Sequence, residues 1–366
     1  MIKTYNIKTH TEDWYKFRTI GIPDVYDGGI GASEIGNMLI PPKDQRPTLM
    51  ELYHYKVGSE TPDHQVNAAM FWGLELEETV ADKWQYHDGT DFGYIQNKMA
   101  GNKKRIAIEA PGYLVNDKYP WLFCSLDRII QKGQVMLIGG EKMDKDCPLE
   151  CKTISSFHAG MWESGIPMPY TIQVNQQMLI TETNYCEIAV LMDGRKFEVY
   201  PIQRSEIICK QIIEQSYEFW QVVLRARKAF KEKRLAEKRG DYETARQNEG
   251  IIQQLEPYPD SNEAYKDYFK EKYLKETVSV DGTDKDFDMA RQLLVINSIA
   301  KELDKKKALI QNVLSYRFVE TGAEKLSFGG SGYLAYNRWS NKIKPKPTDE
   351  FAIGEVGKLN LTGNYF

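Results

Sequence analysis

Apolar and polar residues in this chain follow two patterns, and the change between them comes near residue 204. Before it, short apolar runs are separated by turns rich in glycine, proline, asparagine and aspartate, as in a domain that mixes strands with helices. Residues 11–19 read as a short helix capped by Thr11, with Glu12 and Asp13 in the first turn, where the helix dipole favours acids. A loop carrying Gly21, Gly28, Gly29 and Gly31 follows, and Ser33 opens a segment with apolar residues at Ile35, Met38 and Leu39. A glycine loop feeding a helix N-terminus can bind phosphate. An ordinary turn with an N-cap explains the same residues, and the pattern alone favours that plainer reading. Residues 66–86 read as a strong helix in which Met70, Leu74, Ala81 and Trp84 form a stripe with steps of 4, 7 and 3. Glu77 lies on that stripe, whereas Glu75, Glu78 and Asp82 fall on the polar face. A carboxylate on a buried stripe is costly without a partner. Glu77 is therefore either a functional acid or half of a structural ion pair, and periodicity does not choose.

Residues 103–131 read as paired strands: Ile106–Ala110 after the basic cluster Lys103-Lys104-Arg105, then Tyr113–Val115 beyond the turn Pro111-Gly112. The basic cluster suits a solvated turn better than a DNA contact. Trp121–Cys124 is an apolar run of the kind covered on both faces, and it ends at Ser125 and Asp127. The segment 132–148 fits either an added strand or a surface insertion. Two helices are expected over 154–163 and 169–182. On the second, Tyr170, Val174 and Met178 share a face, with Gln173 and Gln177 beside them. Cys186–Met192 and Lys196–Ile202 flank Asp193-Gly194, a favoured two-residue hairpin turn.

Beyond residue 204 the pattern becomes long and helical. Residues 205–237 form one such stretch, with Ile208, Ile212, Phe219, Val223 and Phe230 among its apolar positions. Residues 238–285 are polar and broken by Gly240, Pro257, Pro259 and Gly282. Residues 286–316 carry a seam of Met289, Leu293, Ile296, Ala300, Leu303, Lys307, Ile310 and Leu314, spaced 4-3-4-3-4-3-4. That is a heptad seam with one lysine in it. It would pack on the first long helix, the simpler expectation, or on another subunit. Lys325–Trp339 reads as a hairpin around Gly329-Gly330-Ser331-Gly332, and 343–366 is a tail with little pattern.

Composition narrows the class. The 366 residues are long enough for about two domains, and 42% hydrophobic with 27% charged residues is ordinary for a globular protein. A net charge of −4 neither advertises nor excludes nucleic-acid binding, which depends on a local basic groove. The five cysteines form no CxxC pair and suit free thiols in a reducing cytosol, so an iron–sulfur cluster is not expected. No signal peptide and no membrane span are expected.

The chemistry concentrates at Leu149-Glu150-Cys151-Lys152-Thr153. On a strand Glu150 and Lys152 share a face and Cys151 points to the other. With Asp127 ending an apolar strand upstream, two acids and an ammonium on one sheet edge suit a divalent metal, a water and a phosphate. Carboxylates without soft ligands favour Mg²⁺ or Mn²⁺ over Zn²⁺. His10, His54, His64, His87 and His158 show no ligand spacing, and P-loop and G-x-S-x-G patterns are absent from the sequence. Alone, Asp…Glu-x-Lys is a weak pattern; its setting on strands gives it weight.

Several short blocks in a fixed order carry a resemblance. They are Trp14…Arg18, Gly31-Ala32-Ser33-Glu34, Phe71-Trp72-Gly73-x-x-x-Glu77, Cys124-Ser125-x-Asp127, Leu149-Glu150-x-Lys152 and Tyr170-x-x-Gln173-Val174-x-x-x-Met178. Over about residues 10–204 the chain resembles the YqaJ and lambda exonuclease family within the PD-(D/E)xK nuclease superfamily. Leu126 stands where the family usually has proline, and 132–148 is longer than usual. The resemblance implies an α/β fold, a PD-(D/E)xK restriction-endonuclease-like core with a central mixed β-sheet flanked by helices, and a C-terminal helical extension ending in a β-hairpin. It implies domains at 1–204, 205–342 and 343–366. It implies that Asp127, Glu150 and the Cys151 backbone carbonyl hold Mg²⁺, with Mn²⁺ able to substitute, and that Glu77 completes the site directly or through water. Lys152 would position or help deprotonate the attacking water. Arg18, Ser33, Ser125 and Gln173 match a pocket for a terminal 5′-phosphate, which suits a bidentate guanidinium with neutral donors.

The function implied is a metal-dependent 5′→3′ exodeoxyribonuclease. It would degrade one strand of duplex DNA from an end and leave a 3′ overhang for a single-strand-annealing protein in phage-type recombination. An endonuclease or structure-specific nuclease on the same fold is the alternative among enzymes, and a non-catalytic DNA-end-binding module is the alternative outside them. Expected partners are duplex DNA ends and an annealing protein, with a homo-oligomer left open. The expected place is the cytoplasm, for a bacterial protein or a phage or prophage protein in a bacterial host.

Overall fold

The computed structural model describes residues 1–7, 11–43, 45–62, 68–155, 160–162, 165–273, 281–322, 325–327, 333–337 and 358–362. His10, His64 and His158, half of the helix expected over 154–163, the Gly329–Gly332 turn and most of the 343–366 tail lie outside them; of the rest of 154–163, Ile154 ends a strand and Gly160–Trp162 is a single 3-10 turn. The chain divides into two compact units, Met1–Lys275 and Glu276–Phe366.

In the first unit, strands β3 (Ala107–Glu109), β6 (Arg128–Ile130), β7 (Cys147–Ile154), β8 (Tyr185–Met192) and β9 (Lys196–Gln203) form one sheet in the order β3-β6-β7-β8-β9. Only β7 and β8 run parallel, so the sheet is mixed. A parallel pair needs a crossover, and it is made through helix α6 (Met168–Thr181). Helix α4 (Ala68–Tyr86) covers the opposite face. Leu149, Cys151, Ala189 and Leu191 pack with Val80, Ala81 and Trp84 of α4. Ile188 and Val190 pack with Val174 and Met178 of α6. The period of two along β7 and β8 therefore sends alternate side chains to two different helices. At the β8–β9 hairpin, Asp193 and Gly194 have φ of 50° and 66°, the left-handed pair that an Asp-Gly turn supplies readily.

A second sheet, in the order β1-β4-β5-β2, joins β1 (Ile2–Tyr5), β4 (Tyr113–Asn116), β5 (Leu122–Ser125) and β2 (Ile30–Gly31). Helices α1 (Glu12–Arg18) and α2 (Ala32–Leu39) belong to this half, and Thr11 caps α1 by accepting from Trp14 N at 3.3 Å. Phe17 stacks on Tyr113 with ring centroids 4.4 Å apart. The chain leaves this sheet at Ser125 and enters the other at Arg128, which puts Asp127 at the crossing.

Helix α7 (Glu206–Lys238) is built into the same core. Ile212, Trp220, Val223 and Ala226 are buried in one cluster with Ile30, Ile35, Tyr53 and Leu122. Trp121 Nε1 donates to Ser216 Oγ at 2.9 Å.

Several elements were not expected from the sequence: β1, α3 (Leu49–Val57) and α5 (Asp91–Met99), with α8 (Tyr242–Gln254) and α9 (Tyr265–Tyr273) inside the polar 238–285 segment. The 132–148 segment is neither a full strand nor a loose insertion. A single bridge, Val135 to Lys142, closes it into a small loop, and Met143 and Cys147 anchor it in the core under α4. Of the basic cluster before β3, Arg105 is not solvated. It forms an ion pair with buried Glu187 and lies 4.0 Å over the Trp84 ring.

In the second unit, α10 (Asp284–Thr321) is one continuous helix, and β10 (Lys325–Ser327), β11 (Tyr333–Asn337) and β12 (Lys358–Thr362) pair antiparallel in that order. The heptad seam of α10 is uncovered, with Met289, Leu293, Ile296, Leu303 and Ile310 all between 51% and 60% exposed. Among the described residues no helix is long and apolar enough to cross a membrane.

Candidate active site

Alternation along β7 puts Glu150 and Lys152 under α6 and Cys151 under α4. Glu150 is almost fully buried, and its charge is met by three donors. Lys152 Nζ reaches Oε1 at 2.5 Å, Gln173 Nε2 donates to the same oxygen at 2.6 Å, and Gln177 Nε2 donates to Oε2 at 2.6 Å. Gln173 and Gln177 are one helical turn apart, so both amides meet one strand residue.

Asp127 lies one residue beyond the last β6–β7 pair, Arg128 with Leu149. That places it opposite Glu150, and its Oδ2 accepts the Cys151 N–H at 2.7 Å. Burial, and then the Glu150 charge, push the Asp127 carboxyl well above the usual carboxylate range. Burial works against the charge of Lys152, but Glu150 and Asp127 outweigh it and raise its pKa. In this arrangement Lys152 is a donor to Glu150. Its Nζ also lies 5.3 Å over the Tyr170 ring.

The stripe that singled out Glu77 holds only at its C-terminal end. Ala81 and Trp84 are buried, but Met70 and Leu74 are 55% and 47% exposed. Glu77 is half-buried and receives Arg128 Nη1 at 2.6 Å; Arg128 also donates to the Asp127 carbonyl at 2.6 Å. The ion-pair partner of Glu77 is thus the neighbour of Asp127. Arg128 was missed in the sequence, where nothing but its position next to the acid marked it.

The four expected phosphate-pocket residues are split. Arg18 and Ser33 come together, with Arg18 Nη2 donating to Ser33 Oγ at 2.8 Å. Arg18 is held flat by Trp14, 4.9 Å below its guanidinium. Gln173 instead donates to Glu150. Ser125 is exposed at the end of β5, and its carbonyl accepts from Gln177 at 3.4 Å.

Beneath Arg18 lies a charged layer that sequence reasoning missed. Lys56 is fully buried; its Nζ donates to Glu34 Oε2 at 2.7 Å and to the Arg18 carbonyl. Glu34 Oε2 also accepts the Gly31 N–H at 2.7 Å. Burial pulls the Lys56 amine down to about 8, against the attraction of Glu34. Arg227 of α7 closes the layer, donating to the carbonyls of Lys56 at 2.6 Å and Thr19 at 3.0 Å. The readable signal for Lys56 was the capping box Thr48-x-x-Glu51, which announces α3.

The donor set facing α6 fits a hard divalent cation. Half-buried Asp127 and buried Glu150 place two carboxylates in one corner, and the Cys151 thiol is turned to the other face. Beside them, the buried Oε1 of Gln177 has no hydrogen-bond partner among the described residues. Among the described residues, no three His, Cys, Asp or Glu side chains are assembled as a ready cage.

Comparison with known proteins follows the same blocks. Residues 13–184 match the model of the YqaJ-like viral recombinase domain. The resemblance expected from the sequence holds over that span. The chain is 24% identical over 293 residues to the uncharacterized protein YqaJ of Bacillus subtilis (strain 168), covering 79% of this chain and 74% of that one. Among solved structures, it is similar to an alkaline exonuclease (LHK-Exo) from Laribacter hongkongensis. Identity is 18%, coverage is 62% of this chain and 98% of that one, and the TM-score is 0.41. A phage-related exonuclease from Haemophilus somnus 129PT matches at 12% identity over 54% of this chain and 95% of its own, with a TM-score of 0.34.

Proposed function

We propose that the chain is a metal-dependent 5′→3′ exodeoxyribonuclease that resects one strand of duplex DNA from an end, leaving a 3′ overhang for a single-strand-annealing protein. The observation that carries this reading is the corner at β7: Asp127 opposite Glu150, with the ammonium of Lys152 2.5 Å from Glu150. A buried and a half-buried carboxylate beside an ammonium suit a divalent metal and a phosphodiester, whose transition state gains negative charge. The mixed sheet with β7 at its centre and helices on both faces supports a PD-(D/E)xK core, and residues 1–204 would form it, with the later helices as an extension.

Asp127, Glu150 and the Cys151 carbonyl would hold Mg²⁺ or Mn²⁺. The ion, when bound, polarises the phosphate and supplies a nucleophile near neutral pH. Gln173 and Gln177 fix the Glu150 carboxylate so that it keeps one orientation. Lys152 orients water and phosphate as a donor. Glu77 would join the site on leaving Arg128, which is then free to meet a DNA phosphate. Arg18 and Ser33 present the surface that a terminal 5′-phosphate would meet. Lys56 and Glu34 stay beneath it, with Lys56 too deeply buried to reach the DNA.

The test is a time course on linear duplex DNA labelled separately at each 5′ and 3′ end, with Mg²⁺ and with chelator. Early release of the 5′ label, only with metal, is expected. Early release of the 3′ label would reverse the polarity. Cleavage of closed circles at the rate of linear duplex would make the protein an endonuclease.

A further inference from the structure

Three segments meet beneath the surface that Arg18 and Ser33 share, and one side chain from beyond the matched span of residues 13–184 ties them together. Arg227 of α7 lies half-buried where α1, the glycine loop and α3 converge. Its Nη2 donates to the Thr19 carbonyl at 3.0 Å, its Nε to the Lys56 carbonyl at 2.6 Å and its Nη1 to the Asp27 carbonyl. Thr19 ends α1 and Lys56 lies in the last turn of α3. There a helix presents carbonyls without partners of its own and the negative end of its dipole. A planar guanidinium meets several carbonyls in fixed directions at once, whereas an ammonium is a point charge without that fork. Buried Trp220, about two turns earlier on α7, supports the guanidinium from one side, with Arg227 Cζ 4.8 Å from its ring centroid.

Each tethered segment carries a part of the pocket. Thr19 follows Arg18 directly, so holding its carbonyl holds the end of α1 from which the Arg18 guanidinium reaches Ser33. Lys56, held at its own carbonyl by Arg227, extends its Nζ to the Arg18 carbonyl and to Glu34. Asp27 leads through Gly28 and Gly29 to Gly31, whose N–H donates to Glu34, and so to Ser33. The loop is built against the guanidinium. A Cβ on Gly28, at a φ of +85°, would stand 3.1 Å from Arg227 Nη2 and 3.0 Å from the Thr19 carbonyl oxygen. Removing the fork would therefore loosen both sides of the pocket, and a shift of about 1 Å is enough to spoil a charge-assisted contact with phosphate.

We propose that Arg227 is a positioning residue for the end-binding pocket, so that α7, beyond the matched span, is a working part of 5′-phosphate recognition. The proposal rests on the reading of Arg18 and Ser33 as the surface that meets a terminal 5′-phosphate. It is tested on the full chain by fluorescence anisotropy, in chelator to keep the DNA whole, with circular dichroism to verify folding. The probe is a hairpin duplex whose single blunt end carries either a 5′-phosphate or a 5′-hydroxyl. The ratio of the two affinities is the readout, because a variant that is only less well folded loses both together. Arg227→Met should lower the ratio at least about fivefold by weakening the phosphorylated end alone. Arg227→Lys keeps a cation at the two helix ends and serves where the methionine variant fails to fold; it should lower the ratio in the same direction. Arg225→Met removes an exposed cation of the same helix and should leave the ratio at the wild-type value. An unchanged ratio in a folded Arg227 variant, or an equal fall in Arg225→Met, overturns the proposal, while a lowered ratio in Arg18→Ala then keeps the pocket itself. A wild type without the preference, or a preference that Arg18→Ala leaves intact, removes the pocket and the proposal with it.

Discussion

Within β7 one carboxylate is buried, a second stands half-buried opposite it, and a lysine is brought to them; between α1 and α3 a lysine is buried and one carboxylate is brought to it. The first place holds Asp127 and Glu150 with Lys152, a surplus of negative charge that a divalent cation would relieve. The second holds Lys56 and Arg18 with Glu34, and Arg227 close by, a surplus of positive charge that an anion would relieve. Each centre keeps its charged groups at the cost of desolvation and leaves one sign incompletely matched. A nuclease acting on an end needs such a division, with one place for the metal and the scissile bond and another for the terminal phosphate.

The largest effect should come from emptying the acidic centre. Asp127→Ala or Lys152→Ala should reduce metal-dependent cleavage by about 10³-fold or more while DNA still binds. Full activity in either variant would remove the centre from the reaction. At the basic centre, Arg18→Ala removes one charge-assisted contact, worth about 10- to 100-fold. The loss should appear as a lower ratio of activity on 5′-phosphorylated over 5′-hydroxyl ends, and an unchanged ratio would show that the two centres do not divide the work this way. Gln177→Leu takes the donor from Glu150 Oε2, and outer-shell changes of this kind cost about 10- to 100-fold. Metal affinity should fall in calorimetry along with rate; a loss of rate at unchanged affinity would limit Gln177 to packing.

The smallest effect is on stability against pH. Cys124, Cys147, Cys151, Cys186 and Cys209 are all buried, and burial pushes their thiols up, Cys147 and Cys209 to about 11. The unfolded chain ionises its thiols near 9, so this stability is complete below pH 9 and is lost as the pH rises towards 11. Lys56 acts in the opposite sense, because its folded value near 8 lies below the ordinary 10.5 and its burial becomes less costly between those values. Stability should rise slightly from pH 8 to 9 and fall beyond it, each thiol contributing up to about 1.4 kcal/mol per pH unit. Denaturant midpoints across pH 8–10 would show the maximum, and Lys56→Met should abolish the rise. A fall that began at pH 8 would mean that Lys56 is not buried as a cation.

The acidic centre was legible in the sequence because strands announce it. Glu-x-Lys lies on an apolar run, Asp127 follows another, and Gln173 and Gln177 keep helical spacing on α6. The basic centre was legible only at its surface, through Arg18 and Ser33. Its buried layer comes from α3, whose positions are buried on nearly every side, Glu51, His54 and Lys56 included, so no amphipathic period marks it. Helices α8 and α9 were hidden in the same way, by a polar composition interrupted by Gly240, Pro257 and Pro259. For α4 the period held only in its second half, since periodicity does not show how deeply each turn of a helix is covered.

The length of α10 is also a ruler. Its 38 residues rise about 1.5 Å each, close to 57 Å in all. Its first and last turns are held at that spacing for as long as the helix stays unbroken. Inserting or deleting whole heptads in α10 would change that spacing in steps of about 10 Å while keeping the seam in phase.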